Sequence, residues 1–337
     1  MSLFHRNKDF DFVSIGDITT DAFIRIQDAE VVHDDVRDKD KLALAFGDKV
    51  PYEFVEVVSA VGNSANAAVC ARRLGLSSAM ITNVGDDGNG AECIATLRKN
   101  GVETDFVKVH KDKETNYHYV LWFKEERTIL VKHHEYEYSL PDFGTPKWIY
   151  LSSIGDNTQN YHKELVAYLH KNSSVKLAFQ PGTFQMKMGV EELAELYART
   201  DIFFCNTDEA RRILGKPEER DVKNLLREMH DIGPNVVVIT DGAKGAFAYD
   251  GYEAYFMPVY PDPKPPYERT GAGDAFSATF TSAIALGRSL FDALLWSPIN
   301  SMSVVQYIGA QKGLLTQEEI LQWLTKAPEN YKPEKII

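Results

Sequence analysis

The segment densest in chemistry is Thr270-Gly271-Ala272-Gly273-Asp274-Ala275-Phe276, set ahead of an apolar helical pattern. Gly271, Ala272 and Gly273 let a backbone approach a ligand closely. Their amide N–H groups fall at a helix N-terminus, where unpaired donors and the helix dipole favour an anion. A carboxylate at that positive end has two readings. Asp274 either caps the helix, or stands beside bound phosphate as a base that takes the proton of an attacking hydroxyl.

Other polar groups sit where strands end or helices begin. Gly16-Asp17-Ile18-Thr19-Thr20-Asp21 leaves the first apolar run, and two carboxylates flanking a strand exit favour a polar ligand over a simple turn cap. Val61-Gly62-Asn63-Ser64-Ala65-Asn66 opens a helix. Asn206-Thr207-Asp208-Glu209 opens another and reads, on the residues alone, as a cap and a surface charge. Thr240-Asp241-Gly242 and Gly245 form a turn after a strand. His133-His134 has no third ligand at a suitable spacing, and Phe203-Phe204 and Trp296 read as core. No GxxxxGK[ST] occurs, and the first strand ends without GxGxxG, which removes the Walker-type and dinucleotide-binding readings.

The elements that must hold these residues alternate. Strands are expected at Phe10–Ile15, Ala79–Val84, Trp148–Ser152, Val175–Phe179, Ile202–Cys205 and Val236–Thr240. Between them fall helices at Ser64–Leu74 (with Ser64 as N-cap and Gly75 as C-terminal cap), Ala91–Lys99, Asn160–His170, Val190–Arg199, Asp208–Leu214 and Asp221–His230. Beyond Thr270 the pattern is helical: Ala275–Leu286, Leu290–Trp296, Ile299–Ile308 and Gln317–Leu324. Two hairpins interrupt the rhythm. One joins Thr115–Phe123 to Arg127–Lys132 across Lys124-Glu125-Glu126, and the other joins Ala246–Tyr249 to Glu253–Phe256. Val31–Lys49 reads as an irregular excursion or part of a lid, and Pro258–Pro266 as a stiff loop. The alternation predicts an α/β fold, a mostly parallel sheet covered on both faces.

The chain has 337 residues, with Lys plus Arg 37 against Asp plus Glu 49, a formal charge of −12. That balance argues against nucleic-acid and membrane-surface partners. Three dispersed cysteines (Cys70, Cys93, Cys205) and an N-terminal MSLFHRNKDFDF without an apolar run point to a cytoplasmic protein.

Taken in order, these motifs resemble the ribokinase-like carbohydrate kinases of the PfkB family, from Ile15 to about Thr316. TGAGDAF is the closest match. The resemblance implies a three-layer α/β/α core with a central twisted sheet and a small β-sheet lid, in one domain over 1–337 with the lid at about 17–60 and 110–135. It implies ATP-dependent phosphorylation of a small unphosphorylated sugar, ribose- or fructose-like, with Asp274 as base and Gly271, Ala272 and Gly273 as the anion hole. Asp21, Gly62, Asn63 and Asn66 would hold the sugar. Asn206, Glu209, Thr240, Gly242 and Gly245 would serve the nucleotide and phosphates, and Glu209 would serve magnesium, directly or through water.

Three features leave room beside that reading. Val61 stands where the family has a first glycine, and Glu268-Arg269 stands where it often has Asp-Thr at a monovalent-cation site, so dependence on such a cation is open. Gln311-Lys312-Gly313 is only loosely similar to the family and receives no role. Asn63 is neutral and the sugar segments hold no Lys or Arg, which favours an unphosphorylated acceptor. The alternatives are a nucleoside kinase of the same fold, its base stacked on Tyr117, Tyr119 or Trp122, and a non-catalytic sugar- or nucleotide-binding regulator. A sugar acid would need a cation, for which Arg127 is the candidate. Free strand edges on a lid suit a homodimer.

Overall fold

The computed structural model describes residues 9–35, 39–124 and 126–337. Most of the N-terminal MSLFHRNKDFDF segment, part of the Val31–Lys49 stretch and Glu125 of the hairpin turn lie outside the described residues.

The central sheet has 10 strands. From one edge they run Glu334–Lys335, Ala254–Met257, Ala246–Tyr249, Val236–Thr240, Ile202–Asn206, Lys176–Phe179, Trp148–Leu151, Phe12–Ile15, Ser78–Gly85 and Val107–His110. Pairing is parallel from Val236–Thr240 through to Val107–His110 and antiparallel at the other edge.

The parallel strands are short, almost wholly apolar runs because both of their faces are covered. Strand alternation divides the core in two. Phe12, Tyr150, Phe204 and Val238 pack on one face beneath the helices Asn63–Arg73, Ala272–Ala285 and Leu290–Val304. Val13, Ile149, Phe203 and Val237 pack on the other, against Leu165 of Gln159–Lys171 and Leu226 of Val222–Asp231.

Phe12–Ile15 pairs with Ser78–Gly85 on one side and Trp148–Leu151 on the other. The chain therefore winds outward in both directions from this strand. In such sheets ligands collect beyond the carboxyl ends at the point of reversal. Asp17, Gln180, Asn206 and Thr240 all lie at or just beyond carboxyl ends of strands.

A second sheet of 4 strands orders Tyr52–Val61, Thr19–Ile26, Tyr117–Phe123 and Glu126–Leu130. The expected hairpin forms its second half. Tyr52–Val61, for which the sequence reading had no strand, closes its other edge. Among the described residues Glu30–Asp34 and Lys39–Ala43 pair only with each other, so the Val31–Lys49 stretch contains a separate ribbon.

Three local expectations are corrected. Ser64 does not cap its helix; Gly62 does, with φ 105°, and Ser64 lies inside, fully buried, donating to Ile15 O at 2.6 Å. The helix expected at Val190–Arg199 is two pieces, the end of Thr183–Glu192 and Ala194–Ala198, which meet at Leu193, and Thr183–Glu192 is itself kinked at Gly189, φ 84°. Pro298 does not end a helix at Trp296. Leu290–Val304 runs through it with Ser297, Ile299 and Asn300 fully buried, and tertiary packing outweighs the missing N–H.

Candidate active site

The glycine loop is built by steric necessity. Gly271 caps the helix Ala272–Ala285 at φ 81°, a left-handed conformation that costs a residue with a Cβ. A Cβ there would also lie 2.2 Å from Ala310 Cβ. The first intrahelical bond is Ala275 N to Gly271 O at 2.8 Å, so the amides of Ala272, Gly273 and Asp274 precede the ladder and remain available to an anion. Asp274 is not the cap; it sits in the first turn and its side chain makes no capping bond.

Its carboxylate is instead ringed by amides. Asn63 Nδ2 donates to Oδ1 at 2.7 Å, Asn66 Nδ2 to Oδ2 at 2.8 Å and Gln180 Nε2 to Oδ1 at 3.3 Å. Asn63 and Asn66, expected to face a sugar, meet this carboxylate. Burial raises the Asp274 pKa above the usual carboxylate value, and the Asn66, Asn63 and Gln180 donors and the Arg127 charge oppose that rise.

Two of the three amides are themselves oriented. Gln311 Nε2 donates to Asn66 Oδ1 at 3.0 Å, and Gln180 Oε1 accepts from Tyr150 Oη and, at 3.1 Å, from Ser277 Oγ. Sequence reading missed Gln180 and assigned Gln311 no role. Each is a neutral amide in no recognisable motif, and only the fold brings them to Asp274.

On one side of the loop lies a cleft of about 680 Å³, lined by Asn206, Thr240, Gly242, Gly245, Gly273 and Arg269 among others. Asn206, Thr240, Gly242 and Gly245 thus share this cavity with Ala272 and Gly273 of the glycine loop. Glu209 does not line it. Asn206 and Glu209 form a reciprocal helix cap: Asn206 N donates to Glu209 Oε2 at 2.9 Å, and Glu209 N to Asn206 Oδ1 at 2.8 Å. Burial raises the Glu209 pKa, and the nearby Asp274 charge adds to it. Gly245 (φ 109°) abuts the neighbouring strand, where a Cβ would lie 2.4 Å from Met257 O.

On the other side are the acids of the GDITTD segment. Asp21 pairs across the small sheet with His118, whose Nδ1 lies 3.4 Å from Asp21 Oδ1. Asp17 is buried, accepts from Tyr138 Oη at 2.9 Å, and has His133 Nδ1 3.8 Å from its Oδ2. Burial pushes the Asp17 pKa up to about 7. Gly62 packs onto the same loop, where a Cβ would stand 2.9 Å from Asp17 O.

The aromatics near these acids are not those expected to stack a base. Tyr117 and Tyr119 point to the opposite strand face from His118, and Trp122 is covered by Arg25 at 4.2 Å and Tyr267 at 5.1 Å. His118 and His133 adjoin the acids instead, their ring centroids 5.4 Å apart, and Phe184 packs on His133 at 5.4 Å. Arg127 reaches towards Glu268, with Nε 3.9 Å from Oε1, and lines the large cleft. Among the described residues no group of three or more His, Cys, Asp or Glu could hold a metal, His133 and His134 included. No helix among them is long and apolar enough to cross a membrane.

Known proteins place this architecture. The family model described as pfkB family carbohydrate kinase matches residues 30–317. The chain is 28% identical over 262 residues to an ATP-dependent 6-phosphofructokinase of Thermoanaerobacterium thermosaccharolyticum, covering 74% of this chain and 80% of that protein. It is 26% identical over 281 residues to a ribokinase of Bacillus subtilis, covering 78% and 87%. The crystal structure of a Methanocaldococcus jannaschii nucleoside kinase, an archaeal member of the ribokinase family, superposes with a TM-score of 0.76 at 19% identity, covering 94% and 98%. The fold is thus the ribokinase-like α/β fold, and the chain belongs to the pfkB family of carbohydrate kinases, ATP-dependent phosphotransferases that act on sugar hydroxyls.

Proposed function

We propose that the chain transfers the γ-phosphoryl group of ATP to a hydroxyl of a small unphosphorylated sugar, ribose- or fructose-like, with Asp274 as general base. One observation carries this reading. Asp274 stands in the same helical turn as the free amides of the glycine loop and is bonded to Asn63 and Asn66 of the helix that follows the acceptor acids. A hydroxyl delivered from the acceptor side would meet base and phosphate together.

The acceptor oxygen attacks the γ-phosphorus as the bond to the β-phosphate oxygen breaks, and the hydroxyl proton passes to an Asp274 oxygen. Amides from Gly271 to Asp274 bear on the charge of the transferring group. Amides cannot give up protons at neutral pH, so the Asn63, Asn66 and Gln180 ring favours the ionised form of Asp274 without competing as an acid. Asp21 with His118 holds acceptor hydroxyls, and Gly62 permits the close approach of that loop. Thr240, Gly242 and Gly245 shape the nucleotide cleft.

Magnesium fits the donor set modestly. Glu209 commits one oxygen to Asn206 N and has the other for an ion held mainly by phosphates and water, the usual habit of Mg²⁺. When bound, it would neutralise phosphate charge.

We read the chain as one kinase domain with the 4-stranded sheet as lid over the acceptor. The lid's outer face exposes Val55, Val57, Tyr119 and Leu130, and we infer that a second copy covers it. Light scattering checks this: Tyr119→Glu should shift a dimer to monomer, and a monomeric wild type would end the idea. The three described cysteines are free and buried, which suits a reducing cytoplasm.

A nucleoside acceptor is the second reading, favoured by the rings of His118, His133 and Phe184 beside the acids. ADP release measured over sugars, sugar acids and nucleosides tests both. Absence of ADP release with every acceptor in the panel would leave a non-catalytic binder.

A further inference from the structure

Glu268 is a core carboxylate with one oxygen unanswered. It is only 2% exposed and stands just ahead of the glycine loop. Thr270 N donates to its Oε1 at 2.7 Å, and Thr270 Oγ1 donates to the same oxygen. Oε2 has no hydrogen-bond partner, and neither has the buried Nε of Arg127, which lies 3.9 Å from Oε1. That gap is too long for a hydrogen bond. Two opposite charges thus stand one short movement apart, each with a buried polar atom left unpaired.

The lid supplies the cation. Arg127 lies in Glu126–Leu130 and pairs across the small sheet with Trp122. Directly opposed residues share a sheet face. Trp122 packs edge-on against Tyr267, the residue next to Glu268, with ring centroids 5.1 Å apart. A ring and a cation on one lid face therefore meet two consecutive residues at the foot of the glycine loop. Arg127 also lines the large cleft together with Ala272 and Gly273, so its charge reaches the space assigned above to the nucleotide phosphates. The other basic lining residue, Arg269, bears on Asp262. Among the described residues Arg127 is the one cation paired with Glu268.

Family members often hold a monovalent cation at this turn, and the residues here do not fit one. Such an ion is held by oxygen lone pairs that replace its water. Glu268 Oε1 is taken by the two Thr270 donors. The Val305 carbonyl, with two lone pairs, already accepts from Tyr267 N at 2.8 Å and Glu268 N at 3.2 Å. The remaining oxygen belongs to the carboxylate that Arg127 approaches, and a guanidinium is a fixed positive charge that repels a second cation. Burial raises the Glu268 pKa, and the Thr270 hydroxyl and the Arg127 charge oppose the rise.

We propose that Arg127 is the resident cation of this site: it closes on Glu268 when the lid settles, steadies the turn that carries the glycine loop, and replaces a monovalent ion, so that turnover needs neither K⁺ nor Na⁺. The inference rests on the kinase reading above and adds a positioning residue to it.

The first measurement is ADP release by the full chain at fixed Mg²⁺ on its best acceptor, in choline chloride, NaCl and KCl at equal ionic strength, with ADP quantified by chromatography. Rates should agree within about twofold, and a tenfold or larger dependence on K⁺ or Na⁺ would overturn the proposal. The second is thermal melting in the same salts without substrates, because a bound ion stabilises the fold by mass action. Melting temperatures should match in KCl and choline chloride; a K⁺-specific rise counts against Arg127 as the cation.

Arg127→Met deletes the charge and keeps the stem. Loss of a hydrogen bond between charged groups predicts a fall in kcat/KM for ATP of about 10- to 100-fold, with calorimetric binding of the acceptor retained. Guanidinium chloride at low concentration should restore part of that rate, which a role in packing alone would not allow. Combining Arg127→Met with Glu268→Gln should recover the melting temperature that Arg127→Met loses, since no buried carboxylate is then left unpaired. Wild-type kinetics in Arg127→Met, or a loss that guanidinium does not rescue, would overturn the role of Arg127 and leave the kinase reading intact. Wild-type protein that releases no ADP with any acceptor would remove the kinase reading and the claim on turnover together, and the paired melts would still decide the Arg127–Glu268 contact.

Discussion

Gln311 donates from one amide nitrogen to Asn66 Oδ1 at 3.0 Å and to the Ala60 carbonyl at 2.7 Å, and so decides which end of the Asn66 amide faces Asp274. With its oxygen occupied, Asn66 can present only N–H groups, and it does, at 2.8 Å from Asp274 Oδ2. Tyr150 and Ser277 do the same for Gln180 from the other side. The Asp274 carboxylate is aimed by residues that do not touch it.

Reversing one of these amides should therefore act on the base. In Gln311→Glu the new side chain cannot donate to Asn66, whose amide then turns its nitrogen to the carboxylate and its oxygen to Asp274. Loss of one donor bond to a charged group, about 1.5–3 kcal/mol, raises the Asp274 pKa further. The acid limb of the kcat profile should move to higher pH, with nucleotide affinity unchanged. Gln311→Met, which lets Asn66 keep its orientation, should move it less. A lower melting temperature with an unmoved acid limb in both variants would reduce Gln311 to a packing residue.

The Asp17 contribution to the stability of the unliganded protein should fall as pH rises from the acid side through about 7, and level off above it. Burial holds the Asp17 pKa at about 7, above its unfolded value, so the folded state binds the extra proton and is favoured at low pH. The Asp17 contribution is complete below the unfolded pKa and is lost as pH rises through about 7. Between pH 6 and pH 8 the expected change is about 1.4 kcal/mol for this one group. Denaturant melts at the two pH values check it, with Asp17→Asn as reference. A variant that keeps the full wild-type pH dependence would place the titration elsewhere.

Much of this was legible from residue order alone, for reasons that differ by element. Strands such as Trp148–Leu151 and Val236–Thr240 are apolar runs bounded by turn residues, and burial on both faces makes that signal strong. TGAGD carries its own geometry, because a left-handed cap against Ala310 admits only glycine. Tyr52–Val61 escaped because its Glu53, Glu56 and Ser59 blur the alternation of a half-exposed lid strand. Pro298 suggested a helix break that core packing overrides. Gln180 and Gln311 were invisible, since a neutral amide has no periodic signature and its meaning lies in partners from distant parts of the chain.

Magnesium dependence should be total. Phosphate charge has few fixed cations in the cleft, where Arg127 and Arg269 are the basic lining residues, so excess chelator should abolish turnover and added Mg²⁺ restore it. Glu209→Ala should raise the Mg²⁺ concentration for half-maximal rate and also cost about 0.5–2 kcal/mol through the lost cap. Calorimetric binding of the acceptor should be little affected. Turnover that persists under chelation would sink the metal role of Glu209.

The two loop glycines should fail differently. Gly271→Ala places a methyl 2.2 Å from Ala310 Cβ at a positive φ, so the fold must shift and the melting temperature should fall. Gly273→Ala meets nothing within 4 Å and lies in a helix, where alanine is favoured by up to about 1 kcal/mol. Its melting temperature should hold or rise while turnover drops, because the methyl enters the cleft beside the proposed phosphate amides. Equal stability loss in both variants would contradict the open position of Gly273.

Asp274→Asn is the decisive substitution. Asn keeps the size of the side chain but cannot accept the acceptor's proton, and general-base catalysis is worth roughly 10²–10⁴-fold. Steady-state kcat should fall by that order while calorimetry still registers both substrates. The change also puts an amide nitrogen among the donors Asn63, Asn66 and Gln180, so one contact becomes donor against donor and a modest loss of stability is expected. Burial raises the Asp274 pKa, so in wild type the rate should fall with decreasing pH at a point above the ordinary carboxylate range. The sign follows from the role, because a base works only when ionised. In Asp274→Asn the residual rate should lack that limb. A capping role is no refuge for the alternative, since Gly271 holds the cap position and the Asp274 side chain makes no capping bond. Near-normal kcat with an unchanged pH profile would remove Asp274 from the chemistry and leave the glycine loop as an anion site alone.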